Sequence, residues 1–218
     1  MEAPDEYSDD ETDLNSILEN PNSNGNVEVL PAEPLDKYGF SGRHPYVPTQ
    51  SDLLYNKEEV ERTPKWVRYL KKWEKNPSSF NKSKEKFKNK VYRGIPDSVR
   101  GPVWLWMMDV RSAKAAHPKT YFSDLLQKRA QKDTEEQIEK DLKRTFPNHV
   151  QFKGDTGQRS LYRVLHAFAC HNPKVGYCQG MGFVVALLLM YIPEEDNAFW
   201  LLTQIGKWNN KHFHGFLR

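Results

Sequence analysis

Cysteine is scarce: the 218 residues hold only Cys170 and Cys178. Two cysteines make no disulfide framework, so a reducing compartment is expected. Long apolar runs are missing too. The longest, Met181 to Ile192, is twelve residues, short of the roughly 20 needed to span a bilayer, and reads as a buried helix. The N-terminus is acidic and has no apolar stretch, so no secretory leader is expected. The net charge of +3 is too small to argue for nucleic acid as a partner. No internal repeat occurs, and no alternating apolar–polar pattern supports strands.

What charge there is lies unevenly. Glu2, Asp5, Glu6, Asp9, Asp10, Glu11, Asp13 and Glu19 fall in the first 20 residues, which contain no lysine or arginine. Residues 21–50 are rich in Pro, Asn and Gly and have no periodicity. Residues 1–50 therefore read as a disordered arm, acidic first and extended after. Residues 51–90 read as a basic helical lead-in. Between 57 and 90, ten lysines and two arginines face five glutamates. Trp66, Tyr69, Leu70 and Trp73 fall there at helical spacing, and Asn76-Pro77-Ser78-Ser79 ends that helix.

From residue 91 the texture is that of a folded domain, assigned to 91–218. Gly94-Ile95-Pro96-Asp97 marks a turn. Val99 to Val110 suits a buried helix, and Tyr121 to about Lys132 a second. A third is expected from Glu135 to Thr145. Thr134 with Gln137 three residues on resembles a capping box, and Pro147 stops the helix. A fourth runs from about Gly157 to Cys170, and a fifth from Met181 to Tyr191. A sixth carries Phe199, Trp200, Leu202 and Ile205. The fold class is all-α.

Two polar features stand out on this frame. Asp141 lies three residues before Arg144, so the two can pair on one helical face. Thirty-five residues after Arg144, Gly176-Tyr177-Cys178-Gln179-Gly180 places a glutamine between glycines that permit a tight backbone. An exposed arginine and a loop glutamine are what a slow GTPase needs from outside. The arginine neutralises charge developing on the transferred phosphoryl group, and the glutamine orients the attacking water. On their own these residues are equally a solvated helix-end arginine and a surface glutamine.

Three motifs in order carry a resemblance. Ile138-x-x-Asp141-x-x-Arg144 resembles the arginine-finger motif of the TBC domain, the family of GTPase-activating proteins for Rab GTPases. Tyr177-x-Gln179, flanked by Gly176 and Gly180, resembles its glutamine-finger motif. Tyr92 to Trp104, with Gly94, Pro96, Arg100, Gly101 and Trp104, resembles its opening motif. Leu35-Asp36-Lys37-Tyr38-Gly39-Phe40 and Lys211-His212-Phe213-His214-Gly215-Phe216 are similar to the RN-tre branch. The resemblance implies that Arg144 and Gln179 are catalytic, that Asp141 orients Arg144 or buttresses its helix, and that Tyr177 shapes the glutamine loop. Ile138, Gly94, Pro96, Arg100, Gly101 and Trp104 are then scaffold. The partner is a GTP-bound Rab, which carries the Mg²⁺ and GTP, so no cofactor is expected. The setting implied is vesicle and endocytic traffic, cytoplasmic and peripheral to endosomal or Golgi membranes.

The chain departs from the family in two places. Asn197 intervenes between Glu194-Glu195-Asp196 and Ala198-Phe199-Trp200. The family's domain also continues past Phe216, so the domain is expected to be C-terminally truncated. That leaves two function classes: an active Rab GTPase activator, or a weak Rab-binding or scaffold module. Cys170, His171 and Cys178 are too few and too irregularly spaced for zinc, and His166 is read as packing. His212 and His214, two apart, share no helix face, so no metal is assigned. Residues 57–90 also offer a basic surface for anionic lipid.

Overall fold

The computed structural model describes residues 34–42, 44, 46–79 and 84–212, and gives the backbone alone for 84–86 and 208–212. The acidic stretch 1–33 and the Phe213–Phe216 part of the last motif lie outside the described residues. Every regular element among those described is helical, as the sequence pattern requires: α1 (Gln50–Lys75), α2 (Lys84–Tyr92), α3 (Asp97–Met107), α4 (Val110–Ala115), α5 (Tyr121–Leu126), α6 (Lys132–Leu142), α7 (Asp155–His171), α8 (Met181–Tyr191) and α9 (Glu195–His212).

Helix α7 is the hub and packs against α5, α6, α8 and α9. Leu161, Val164, Leu165 and Phe168 repeat every three or four residues and bury one continuous stripe. They meet Ile138 of α6, Val185 and Leu189 of α8, and Phe199 and Leu202 of α9. A second cluster joins α1, α2 and α3 through Trp66, Trp73, Phe87, Val99 and Val103. Burying each such side chain contributes roughly 1.5–3 kcal/mol before conformational entropy is set against it.

The lead-in helix is thus part of the folded body. Its Trp66 and Trp73 face inward. Glu59 of α1 accepts the Asp97 N–H at 2.6 Å at the start of α3, and Arg62 donates to the carbonyl oxygens of Arg93 and Gly94. The opening motif is held from the other side by Arg100. It pairs with Asp97, donates to the Tyr191 hydroxyl and donates to Ile95 O at 2.9 Å. Gly101 is there for space, because a Cβ at that position would sit 2.2 Å from Tyr191 O.

Several boundaries differ from the sequence reading. The helix expected over Val99–Val110 breaks at Asp109, whose φ is +48°. The helix expected over Tyr121–Lys132 ends at Leu126, and the next begins at Lys132. Between them His166 takes Lys128 O at 3.0 Å, and Glu135 accepts the Ala130 N–H at 3.2 Å. Thr134 is not the cap of α6. That position is Gln131, without a side-chain bond. A reciprocal capping box does occur at α1, between Thr49 and Asp52. Residues 34–42, placed by sequence in the disordered arm, form a compact turn. Leu35 bridges Ser41 and Phe40 bridges His149.

Candidate functional site

Helix α6 ends one turn earlier than expected, so Arg144 stands just past the C-terminus on a turn. Its N–H bonds Asp141 O at 3.1 Å. The side chain is 63% exposed, whereas that of Asp141 is 12% exposed. Ile138, one turn before Asp141, is fully buried against α7 and anchors the helix. The spacing Ile138–Asp141–Arg144 therefore runs from core to rim to solvent.

Asp141 is the joint of the site. One carboxylate oxygen accepts from the Arg144 guanidinium. The other accepts the Tyr177 hydroxyl at 2.6 Å. The Tyr177 hydrogen bond holds the Asp141 carboxyl below its ordinary range. Burial opposes that shift, while Arg144 and the Gly180 N–H add to it. Tyr177 itself is buried, and burial together with Asp141 raises its hydroxyl above the ordinary range, so it stays a donor. One carboxylate thus reaches both the arginine turn and the loop that carries Gln179.

That loop is shaped by its glycines. Gly176 has φ +57° and Gly180, the N-cap of α8, φ +93°. At Gly180 the left-handed geometry alone argues for glycine, since a Cβ there would meet nothing within 4 Å. Between them Tyr177 points inward while Cys178 and Gln179 are exposed. Gln179 and Arg144 are both exposed, one on each of the two stretches of chain that Asp141 joins.

Two residues that sequence reasoning passed over tighten this joint. Thr145 is buried and its hydroxyl donates to Asp141 O at 2.8 Å. Gly182 lies against it, where a Cβ would be 2.6 Å from Thr145 Oγ1. A small residue in the first turn of α8, opposite a threonine following Arg144, is a signal that no single-sequence period contains.

The scaffold residues sit elsewhere. Gly94 (φ +90°), Pro96 (the N-cap of α3), Arg100 and Gly101 lie where α1, α3 and α8 meet. Trp104 is packed on Tyr191 at 5.2 Å. They position α8 from its far end and do not touch Arg144 or Gln179. The structure also separates the other candidates. Cys170 lies beside His166, with Sγ 3.6 Å from Nε2, and burial raises its thiol. His171 bonds the Tyr121 hydroxyl at 2.9 Å, and Cys178 is exposed in the glutamine loop. Among the described residues no three His, Cys, Asp or Glu side chains are grouped to hold a metal.

The chain is similar to known proteins. The family model described as the Rab-GTPase-TBC domain matches residues 97–218. The GTPase-activating protein GYP3 of Saccharomyces cerevisiae is 35% identical over 200 residues, covering 78% of this chain and 31% of the yeast protein. The crystallised Chlamydomonas flagellar RabGAP TBC domain is 32% identical, with a TM-score of 0.66 over 78% of this chain and 58% of that one. The chain therefore spans about a third of the yeast relative and rather more than half of the crystallised one.

Proposed function

The chain belongs to the Rab-GTPase-TBC domain family, and from that premise we propose that it accelerates GTP hydrolysis by a Rab-family GTPase. The partner brings its own GTP and Mg²⁺. Arg144 supplies positive charge to the transferred phosphoryl oxygens as they gain charge. Gln179 orients the attacking water through its amide. An arginine supplied in trans is worth roughly 10³–10⁵ in rate. The observation that carries this reading is the Asp141 carboxylate. It holds the arginine turn with one oxygen and the glutamine loop with the other.

The competing reading, a weak Rab-binding or scaffold module, keeps the surface and loses the rate. Phosphate release from a panel of GTP-loaded Rabs separates the two. The activator reading expects Arg144→Ala and Gln179→Ala each to abolish most of the acceleration. Equal rates in wild type and both variants, with binding retained, establish the module instead.

The proposed setting is the cytoplasmic face of endosomal or Golgi membranes, in vesicle traffic. Among the described residues no helix is long and apolar enough to cross a membrane. Lys57, Lys65, Arg68, Lys71, Lys72 and Lys75 of α1 are exposed, while its tryptophans are buried. That leaves a basic face for anionic lipid, at about 1 kcal/mol per cation close to the surface. Flotation with and without anionic vesicles tests it. Equal recovery in both sinks the membrane contact and leaves the activity untouched.

A further inference from the structure

Residues 35–41 lie outside the stretch matched to the family model, yet they are built onto residues 146–150, the chain that directly follows the turn carrying Arg144. Asp36 Oδ1 accepts the N–H groups of Tyr38 (2.8 Å) and Phe40 (2.9 Å), which closes the segment into a tight turn. Two backbone bonds then stitch it to the chain after Arg144. Ser41 N–H donates to Asn148 O at 2.7 Å, and Val150 N–H donates to Gly39 O at 2.9 Å. The buried His149 ring bonds Tyr38 O through Nε2 at 2.8 Å.

The aromatic contacts run on toward the glutamine side. The Phe40 ring lies 5.3 Å from Phe146, edge to face, and Phe146 lies 5.1 Å from Phe183 of α8. Phe146 is two residues after Arg144, and Phe183 is four after Gln179. Phe146 has φ +46°, a region that bulky residues enter only when their surroundings enforce it, at a cost on the order of 1–3 kcal/mol. The enforcement is visible: Phe146 contacts the rings of Phe40 and Phe183, and the two stitches hold the chain that follows it at 148 and 150.

We propose that the segment 35–41 is a clasp, with Phe40 as its positioning residue, that sets the arginine turn against the glutamine loop. This rests on the finger reading given above. Without the clasp Phe146 relaxes out of its left-handed conformation, and Arg144 leaves the turn over a range of directions. Lys37 pairs with Asp52 of α1 and so ties the clasp to the lead-in helix. The catalytic unit then extends upstream of the opening motif.

The test uses the full chain with Phe40→Ala and Phe40→Tyr, each alone and with Arg144→Ala. Two readouts are taken: phosphate release from a GTP-loaded Rab, and amide exchange at Thr145 and Val150. Phe40→Ala is expected to lower the maximal rate about tenfold, since small misplacements of a catalytic group carry such costs. KM should stay within about twofold, and Phe40→Tyr should restore most of the rate. With Arg144→Ala already present, Phe40→Ala should add no further loss, and exchange at Thr145 and Val150 should rise. An equal loss on both backgrounds makes Phe40 merely structural and overturns the proposal. So does unchanged exchange at Thr145. If wild type activates no Rab, the finger reading fails by itself, and the exchange result still decides whether the clasp orders the turn.

Discussion

Arg144 stands on a turn held from three directions: by Asp141, by Thr145 and by the segment 35–41. Gln179 stands on a loop held mainly by one inward tyrosine and by the backbone freedom of Gly176 and Gly180. The arginine side is thus fixed by contacts from several segments of chain, and the glutamine side by one tyrosine bond and a glycine-bounded backbone. A charge that must meet developing charge gains most from a fixed direction, because preorganised groups need no rearrangement during reaction. A water-orienting amide needs reach, and a loop supplies it. On the proposed reading, Arg144 and Gln179 should therefore respond differently to the same kind of damage.

The strongest way to test the comparison is at the fingers. Arg144→Ala should cost on the order of 10³-fold or more in stimulated hydrolysis. Arg144→Lys should recover only a small part, because an ammonium lacks the planar fork that Asp141 and a phosphoryl group can share. Full recovery by lysine, in single-turnover phosphate release, would mean that direction does not matter on this side.

Next in size is the contact between the two sides. A methyl at Gly182 would lie 2.6 Å from a threonine hydroxyl already committed to Asp141 O. Gly182→Ala should destabilise the chain by about 1–3 kcal/mol, as overpacking generally does. Thr145→Ser removes the methyl but keeps the hydroxyl, and should be tolerated. Denaturant midpoints measure both. An unchanged midpoint for Gly182→Ala would show that the helices are freer to separate than this contact implies.

How far the sequence reveals this site depends on the type of contact. Periodicity showed α7, because its buried stripe writes itself into a 3.6-residue rhythm, whereas α8 showed as an unbroken apolar run and Ile138, Asp141 and Arg144 as a family motif. The family motifs marked Tyr177 and Gln179. Thr145, Gly182 and Phe40 carry no period of their own. Each acts across a gap of dozens of residues, from Phe40 to Phe146 or from Thr145 to Gly182. Helix ends were read one turn out at α6 because Gln131 starts the helix without any side-chain cap. Residues 34–42 look unstructured in composition, and their order comes from bonds to 148–150 that local sequence does not announce.

Effects of similar size distinguish the joint from its arms. Tyr177→Phe removes the donor to Asp141 and should cost about 1.5–3 kcal/mol of stability, the usual loss for a bond to a charged acceptor. Asp141→Ala loses both arms and should cost more activity than Tyr177→Phe. The double variant should resemble Asp141→Ala alone, since Tyr177 then has no carboxylate to donate to. Additive losses would place the tyrosine's effect outside this carboxylate.

The smallest effect concerns pH and sharpens the comparison by what stays constant. The Asp141 carboxyl is held below its ordinary range, chiefly by the Tyr177 hydroxyl, with Arg144 and the Gly180 N–H assisting. A depressed folded value means that the carboxylate contributes stability above its unfolded value, about 3.9. That contribution is lost as pH falls through the folded value. The Tyr177 hydroxyl is raised and keeps its proton through the neutral range. Neither group therefore changes charge between about pH 5 and 8. The melting-temperature difference between wild type and Asp141→Asn should be constant over that window, should begin to close near the unfolded value of about 3.9, and should close fully only below the depressed folded value, where the wild-type carboxyl is neutral like the amide. A difference that drifts between pH 5 and 8 would mean that another titrating group reaches the joint, and that the arginine turn is less insulated than its contacts imply.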